Sequence, residues 1–475
     1  MNEFLFKDIH RLAKQVKKGE ISPVQIVKSA LERIKKIDSK LNTFITINGK
    51  QAIADAKEME KDIKKGNYKG PLHGIPLGIK DNIFTKNIKT TMGSEIYRDF
   101  TPAKNAFVID RLIHAGAIII GKNNTHQFAY GPTGDRSHVG PVHNPFNTMK
   151  MSGGSSGGSA AAVSAYLCYG SLGTDTGGSV RVPASFCGVV GMKPTFGSIS
   201  NRGVYPLSWS LDHVGPLTRS ITDNALLLNA MVAFDREDPK SIQRKKEDFT
   251  RLLGINVRGK KIGIPATYYS EAIDEEIQLA ATKAITIFEK LGAEVKRINL
   301  SISEKSLEAQ SIILKTEAYA VHENNLKRYP DPWDVEVKER LLTGVLAKGF
   351  EFAQALRQRE NAKQEFNEAL SDCDILLTPT MSILPPEIGS RDTTSSNGDK
   401  SHIRSTITRL TSPTNLTGLP SLSIPCGFSK DGLPIGVQLI GKELDEATLY
   451  QFGYALEQEL DHEINKKRNA VMLSL

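Results

Sequence analysis

Cysteine is scarce in this chain: four in 475 residues, at Cys168, Cys187, Cys373 and Cys426, with no C-x-x-C spacing. That scarcity excludes a disulfide framework or a zinc cluster and predicts reduced, buried thiols. The H-E-x-x-H pattern is missing too, so His138 and His143 read as loop residues rather than metal ligands. No apolar run approaches the roughly 18 residues of a membrane helix; the longest, Ala225–Phe234, is interrupted by Asn229. The start, MNEFLFKDIH, carries Glu3 and Asp8 where a signal peptide has positive charge, so a cytoplasmic chain without membrane contact is expected. Internal repeats are absent. What is present is ordinary: 39% hydrophobic residues and 39 glycines, which leave no room for a disordered, collagen-like or coiled-coil architecture.

Acidic residues are in modest deficit, 53 against 61 Lys+Arg, for a formal charge of 61 − 53 = +8. The basic residues mostly sit among acids, as in KQVKKGE and KEMEKDIKKG, and Arg244–Lys246 and Lys466–Arg468 read as solvated faces. The charge permits nucleic-acid binding but does not indicate it.

Along the chain, Ser22-Pro23-Val24-Gln25 predicts a capping box with proline at the first helical position, followed by Val24, Val27, Leu31 and Ile34 at helical spacing. A second helix is expected over Gln51–Lys65. PLHGIPLGIKDNI then predicts a short buried strand ending near Asn82, and a helix around Ala106–His114 leads into the strand AIIIGK. Helices near Asp223–Val232 and Asp274–Leu291, the strands AEVKRINL, CDILLTPT and IGVQLIG, and a helix over Ala447–Leu460 continue the alternation. The fold class is therefore α/β, a large mixed sheet covered by helices on both faces. No linker divides residues 1–475, so a single large domain is expected, with a catalytic core over about 70–235. Residues 302–370 are helical in pattern and read as an insertion that shapes a substrate site. RDTTSSNGDK, Arg391–Lys400, reads as a mobile surface loop.

The segment Met151–Pro183 concentrates Gly and Ser. A flexible linker is one reading, but AAAVSAYL and SVRVP are too apolar for it. Gly153 and Gly158 have the G-x-x-x-x-G spacing of a phosphate loop, yet Ser159-Ala160 follows where Lys-Ser/Thr is needed. Gly153–Gly157 matches the G-x-S-x-G nucleophile elbow, with Asp212-His213 as its only downstream partners, but the polar approach NPFNTMKM is unlike a buried strand. A fourth reading joins the segment to Lys80, which ends the apolar run Ile75–Ile79. A serine nucleophile needs a base, and burial makes the neutral form of a lysine accessible. Asp175-Thr176-Gly177-Gly178-Ser179 sets small residues before a serine, where successive amides can hold an oxyanion. Lys80 alone would pass for a strand-end residue that snorkels to water.

GGSSGGSAAAVSAYLCYGSLGTDTGGSVRVPA, Gly153–Ala184, resembles the signature of the amidase signature family position for position. GIPLGIKDN around Lys80, CGVVGMKPTFG, LDHVGPLTRS, NLTGLPSLSIP and PIGVQLIGK resemble its other blocks. The resemblance implies a Ser–cis-Ser–Lys trio: Ser179 as nucleophile, Ser155 as the bridging serine with a cis peptide bond, and Lys80 as base. The serines stand 179 − 155 = 24 residues apart, as that signature requires. By the same likeness the amides of Thr176, Gly177, Gly178 and Ser179 form the oxyanion hole, and Asp175 and Arg181 brace the loop. Phe128, Ala129, Thr174, Arg357 and Thr408 fall at candidate substrate positions. No metal or organic cofactor is implied, and the partner is a small-molecule amide, with a homodimer allowed.

Two functions compete within this resemblance. One is a stand-alone amidase. The other is the glutaminase subunit of glutamyl-tRNA(Gln) amidotransferase, which passes ammonia to a partner acting on misacylated tRNA. That subunit has an acidic residue before Phe-Ala, whereas Asn124–Ala129 has none. It reads glutamine with an Arg, expected here at Arg357, and an Asp, whose position aligns with Thr408 beside Arg409. WSLDHVGP, Trp209–Pro216, also looks more like general amidases. The stand-alone amidase is the expectation, since such contacts decide specificity.

Overall fold

The computed structural model describes residues 3–300, 302, 304–394, 398 and 400–475. Its centre is an eleven-stranded sheet. From one edge the strands run Phe44–Ile47, Ile118–Asn123, Pro76–Lys80, Gly170–Asp175, His213–Thr218 and Val190–Lys193. Ser421–Phe428, Pro434–Gly441, Ile375–Pro379, Lys261–Pro265 and Glu294–Ile298 complete it. Pro76–Lys80 is parallel to both its neighbours, and Lys261–Pro265 to both of its own; the remaining pairs are antiparallel. The sheet is mixed, as the alternation of elements predicts.

The strand expected to end near Asn82 stops two residues earlier. Pro76–Lys80 is buried throughout because it lies inside the sheet, and its last residue is Lys80. The crossover from it to Ile118–Asn123 passes through the helix Phe107–His114. The capping box forms: Ser22 Oγ accepts from the Val24 N–H at 3.0 Å and Gln25 Oε1 from the Ser22 N–H at 3.0 Å. The helix expected over Ala447–Leu460 is longer, Glu446–Ser474, and packs along Ser421–Phe428 and Pro434–Gly441. NPFNTMKM is a short hairpin in which Asn147–Met151 pairs with His143–Asn144, a feature the polar pattern concealed.

Three helices, Glu304–Arg328, Val335–Leu342 and Gly349–Ser371, account for the helical region 302–370. The first and third pack on each other and on the short helix Ser412–Thr417. Arg391–Lys400 differs from expectation: Asp392–Thr394 pairs antiparallel with Lys400–His402, so its ends form a hairpin. Residues 395–397 and 399 of that segment lie outside the described residues. All four cysteines are buried and free. None of the described helices is long and apolar enough to cross a membrane.

Candidate active site

The helix Gly157–Ser164 is buried at every position, because Gly, Ser, Ala and Val are the side chains that fit against the centre of the sheet. It follows Ser155 and Ser156, and so fixes the chain that carries them. The Gly154–Ser155 bond is cis. The strand Gly170–Asp175 runs beside Pro76–Lys80 and delivers Thr174, Asp175 and the turn leading to Ser179.

Lys80 Nζ lies 2.7 Å from Ser155 Oγ and 2.7 Å from Thr174 Oγ1, with the Thr174 carbonyl at 3.4 Å. A neutral amine suits this cage: its two N–H groups meet Thr174 and its lone pair meets the Ser155 hydroxyl. Burial lowers the Lys80 pKa to about 7 against the raising fields of Asp175 and Asp212. The lysine that sequence alone would let snorkel to water is fully buried. Ser179, 9% exposed, is held near the pair through its carbonyl, which accepts from the Ser156 N–H at 3.3 Å. No hydrogen bond joins Ser155 to Ser179 among the described residues; such contacts commonly tighten only with substrate bound.

The turn before Ser179 is braced from behind. Asp175 takes Arg181 on both carboxylate oxygens, at 3.0 and 2.9 Å, with both side chains fully buried. Burial works to raise the Asp175 carboxyl, but Arg181, Lys193 and Asn415 overcome it and hold it well below the usual range. Arg181 also donates to the Thr411 carbonyl, Thr414 Oγ1, Asn415 Oδ1 and Gln438 Oε1, tying the turn to the helix Ser412–Thr417 and the strand Pro434–Gly441. Arg181→Met should therefore cost about 3–5 kcal/mol, because Asp175 would be left charged and unpaired in the interior. Urea unfolding that shows a loss below about 1 kcal/mol would refute this bracing role.

Two of the expected roles need correction. The Gly178 N–H donates to Asp175 Oδ1 at 2.8 Å, so that amide is engaged in holding the loop. The amides of Thr176, Gly177 and Ser179 remain as the oxyanion candidates. Gly178 is nonetheless required: its φ is +129°, and a Cβ would meet Thr411 Oγ1 at 2.1 Å. Thr174, expected at a substrate position, instead has its hydroxyl oxygen accepting from Lys80 Nζ and from Asn82 Nδ2.

Phe128 and Ala129 sit in a strained turn with φ of +52° and +58°. The turn is close to the serines, since the His126 N–H and Thr125 Oγ1 both donate to the Ser155 carbonyl. The Phe128 ring stands in an aromatic wall with Tyr205, His322 and Trp333.

Arg357 is exposed. Arg359 is the inward residue: it lies on the buried stripe Ala355, Arg359, Ala362, Phe366 and packs over the Phe196 ring. Two residues along a helix is a turn of about 200°, so the two arginines face opposite sides. The stripe's i, i+4, i+7 spacing was the available signal. Thr408 is half-buried and donates its hydroxyl to the Arg404 carbonyl at 3.0 Å. Arg409 donates to the carbonyls of Tyr268 and Glu271 and stacks on Tyr268, so it does not oppose a cation in the site.

His213 is not placed to act as a base. Its Nδ1 meets the Leu211 carbonyl at 2.7 Å and the Asp175 carbonyl at 3.2 Å, while Nε2 meets Lys193 Nζ at 3.2 Å. Burial and the Lys193 charge keep the ring neutral, its pKa well below the ordinary value. The elbow reading loses its histidine. Among the described residues no group of three or more His, Cys, Asp or Glu could hold a metal ion.

Comparison with known proteins places the chain in a family. The Amidase family model matches residues 25–450. The A subunit of glutamyl-tRNA(Gln) amidotransferase from Lachnospira eligens is 39% identical over 471 residues, covering 94% of this chain and 97% of the relative. A solved chain from a vestigial protein complex that reveals the evolutionary origins of an s-triazine catabolic enzyme superposes with a TM-score of 0.91 at 32% identity, over 95% of this chain and 98% of that one. A bacterial aryl acylamidase of the amidase signature enzymes superposes with a TM-score of 0.90 at 27% identity, over 98% of both.

Proposed function

The chain belongs to the amidase family and is a hydrolase acting on amides, and from that premise we propose that it cleaves a small carboxamide by acyl transfer to Ser179. The observation that carries this reading is the buried Lys80 amine, 2.7 Å from Ser155 Oγ. Neutral Lys80 takes the proton of Ser155, which takes that of Ser179 as its oxygen attacks the amide carbon. The amides of Thr176, Gly177 and Ser179 hold the developing oxyanion. The proton returns through Ser155 to the leaving nitrogen, the C–N bond breaks, and water then hydrolyses the Ser179 ester. This chemistry needs no cofactor, and the enzyme works in the cytoplasm without a partner.

A second reading is favoured by the likeness to the amidotransferase glutaminase. There the substrate would be glutamine, its carboxylate read by an arginine of the helix Gly349–Ser371, where the likeness puts Arg357. Against it stands Thr408, which offers no carboxylate for the α-ammonium. Leaving that ammonium unmatched in a buried site costs about 1.5–3 kcal/mol, or roughly tenfold to a hundredfold in kcat/KM.

Ammonia or amine release from a panel of aliphatic amides, anilides and glutamine tests the choice. The chain alone should hydrolyse simple amides with little glutaminase activity, and Thr408→Asp should raise glutamine turnover relative to an aliphatic amide. A chain inert on every amide alone, yet an efficient glutaminase with amidotransferase partner subunits and charged tRNA, would make the second reading the correct one.

A further inference from the structure

Asp212 bonds to the oxyanion turn rather than to the histidine beside it. Its Oδ1 accepts from Thr176 Oγ1 at 2.6 Å, and its Oδ2 from the N–H groups of Leu207 and Ser208 at 2.8 and 3.1 Å. Glu317, on the helix Glu304–Arg328, grips the same loop through the Ser208 hydroxyl and the Ser210 N–H. From that helix Gln310 also donates to the Thr176 carbonyl at 3.2 Å. Thr176 is thus held at both its hydroxyl and its carbonyl, which fixes the plane of the turn and the direction of its amides.

Charge adds a second effect. Asp212 is bonded to Thr176, two residues along the turn from Thr174, whose Oγ1 meets Lys80 Nζ at 2.7 Å, and its field reaches Lys80 together with that of Asp175. Asp175 is answered by Arg181, with Lys193 nearby, whereas no salt bridge engages Asp212 among the described residues. The charged group facing Asp212 from the insertion is Glu317, another carboxylate; burial, helped by Glu317, raises the Asp212 pKa to about 6 against the three hydrogen bonds.

We propose that Asp212 is a positioning residue for amide hydrolysis: its carboxylate aims the Thr176 amide at the oxyanion, and its negative charge favours the protonated form of Lys80. The charge half of this proposal rests on Lys80 being the base.

The two effects separate by mutation. Asp212→Asn keeps the hydrogen bonds, because its carbonyl can accept from Leu207 and Ser208 while its NH2 donates to Thr176 Oγ1; only the charge is lost. Its plateau kcat should stay within about threefold of wild type, and the acid limb of kcat/KM should move to lower pH by about half a unit. Thr176→Val, which removes the hydroxyl, should lower plateau kcat by about tenfold, and Thr176→Ser should restore most of it. A purely structural Asp212 would alter unfolding stability and leave the limb where it is. An Asp212→Asn limb that coincides with a clear wild-type limb overturns the charge effect; full activity in Thr176→Val overturns the aiming. If wild type itself shows no limb near neutrality, Lys80 is not the base and the charge effect falls with it, while the Thr176 pair still decides the aiming.

Discussion

Replacing Ser179 with alanine is expected to abolish covalent labelling by a fluorophosphonate and to lower amide turnover by about four orders of magnitude or more. The acyl-enzyme cannot form without the Ser179 oxygen, and the rest of the relay then has no proton to move. The Ser179 side chain is small and the turn's bracing runs through Asp175 and Arg181, so the variant should fold normally. Mass mapping of the label decides the assignment. Undiminished labelling of Ser179→Ala removes Ser179 from the role, and label found on Ser155 would restore the elbow reading in which that serine attacks.

Lys80 carries the second large effect. Its amine must be neutral to accept a proton, and burial has brought its pKa to about 7. Below that value the protonated fraction grows, so kcat/KM should fall about tenfold for each pH unit on the acid side and reach a plateau above it. The sign is that of a base: activity rises with pH. An ordinary lysine near 10.4 would still be rising at pH 9. Lys80→Ala should remove hydrolysis by about a thousandfold or more. Lys80→Arg should not restore it, because a guanidinium keeps its proton at any usable pH. A Lys80→Arg enzyme at near-normal rate would mean that positive charge alone is wanted there, and the relay as written would be wrong.

Much of this site is legible in sequence because its chemistry lies on one continuous stretch. Gly153–Ala184 carries Ser155, Ser179, Asp175 and Arg181, and the small residues between them announce close backbone packing before any coordinate is known. The strand ending at Lys80 is equally visible, since an unbroken apolar run marks a strand inside a parallel sheet. Where sequence misleads about a role, the cause is a partner distant along the chain. Gly178 has the position of an oxyanion donor, but the Asp175 carboxylate takes its N–H. Thr174 has that of a substrate contact, but its hydroxyl oxygen accepts from Lys80, 94 residues earlier. Arg357 and Arg359 differ only in helical phase, which the apolar stripe encodes but a motif comparison passes over.

The sequence by itself determined the family, the α/β sheet, the two serines and the lysine, because local periodicity and one long motif are properties of adjacent residues. Tertiary structure alone decided which of those groups are free to react. Folding brings Lys80 onto Ser155 across 75 residues and strips its water, which sets the pKa. It locks His213 between Lys193 and two carbonyls, and so removes a histidine that sequence left available as a base. It also turns Asp212 onto Thr176 and draws Arg181 to Gln438, 257 residues away. Burial and hydrogen-bond partners are fixed by elements far apart in the chain, and they decide whether a titratable side chain is charged, neutral or already engaged.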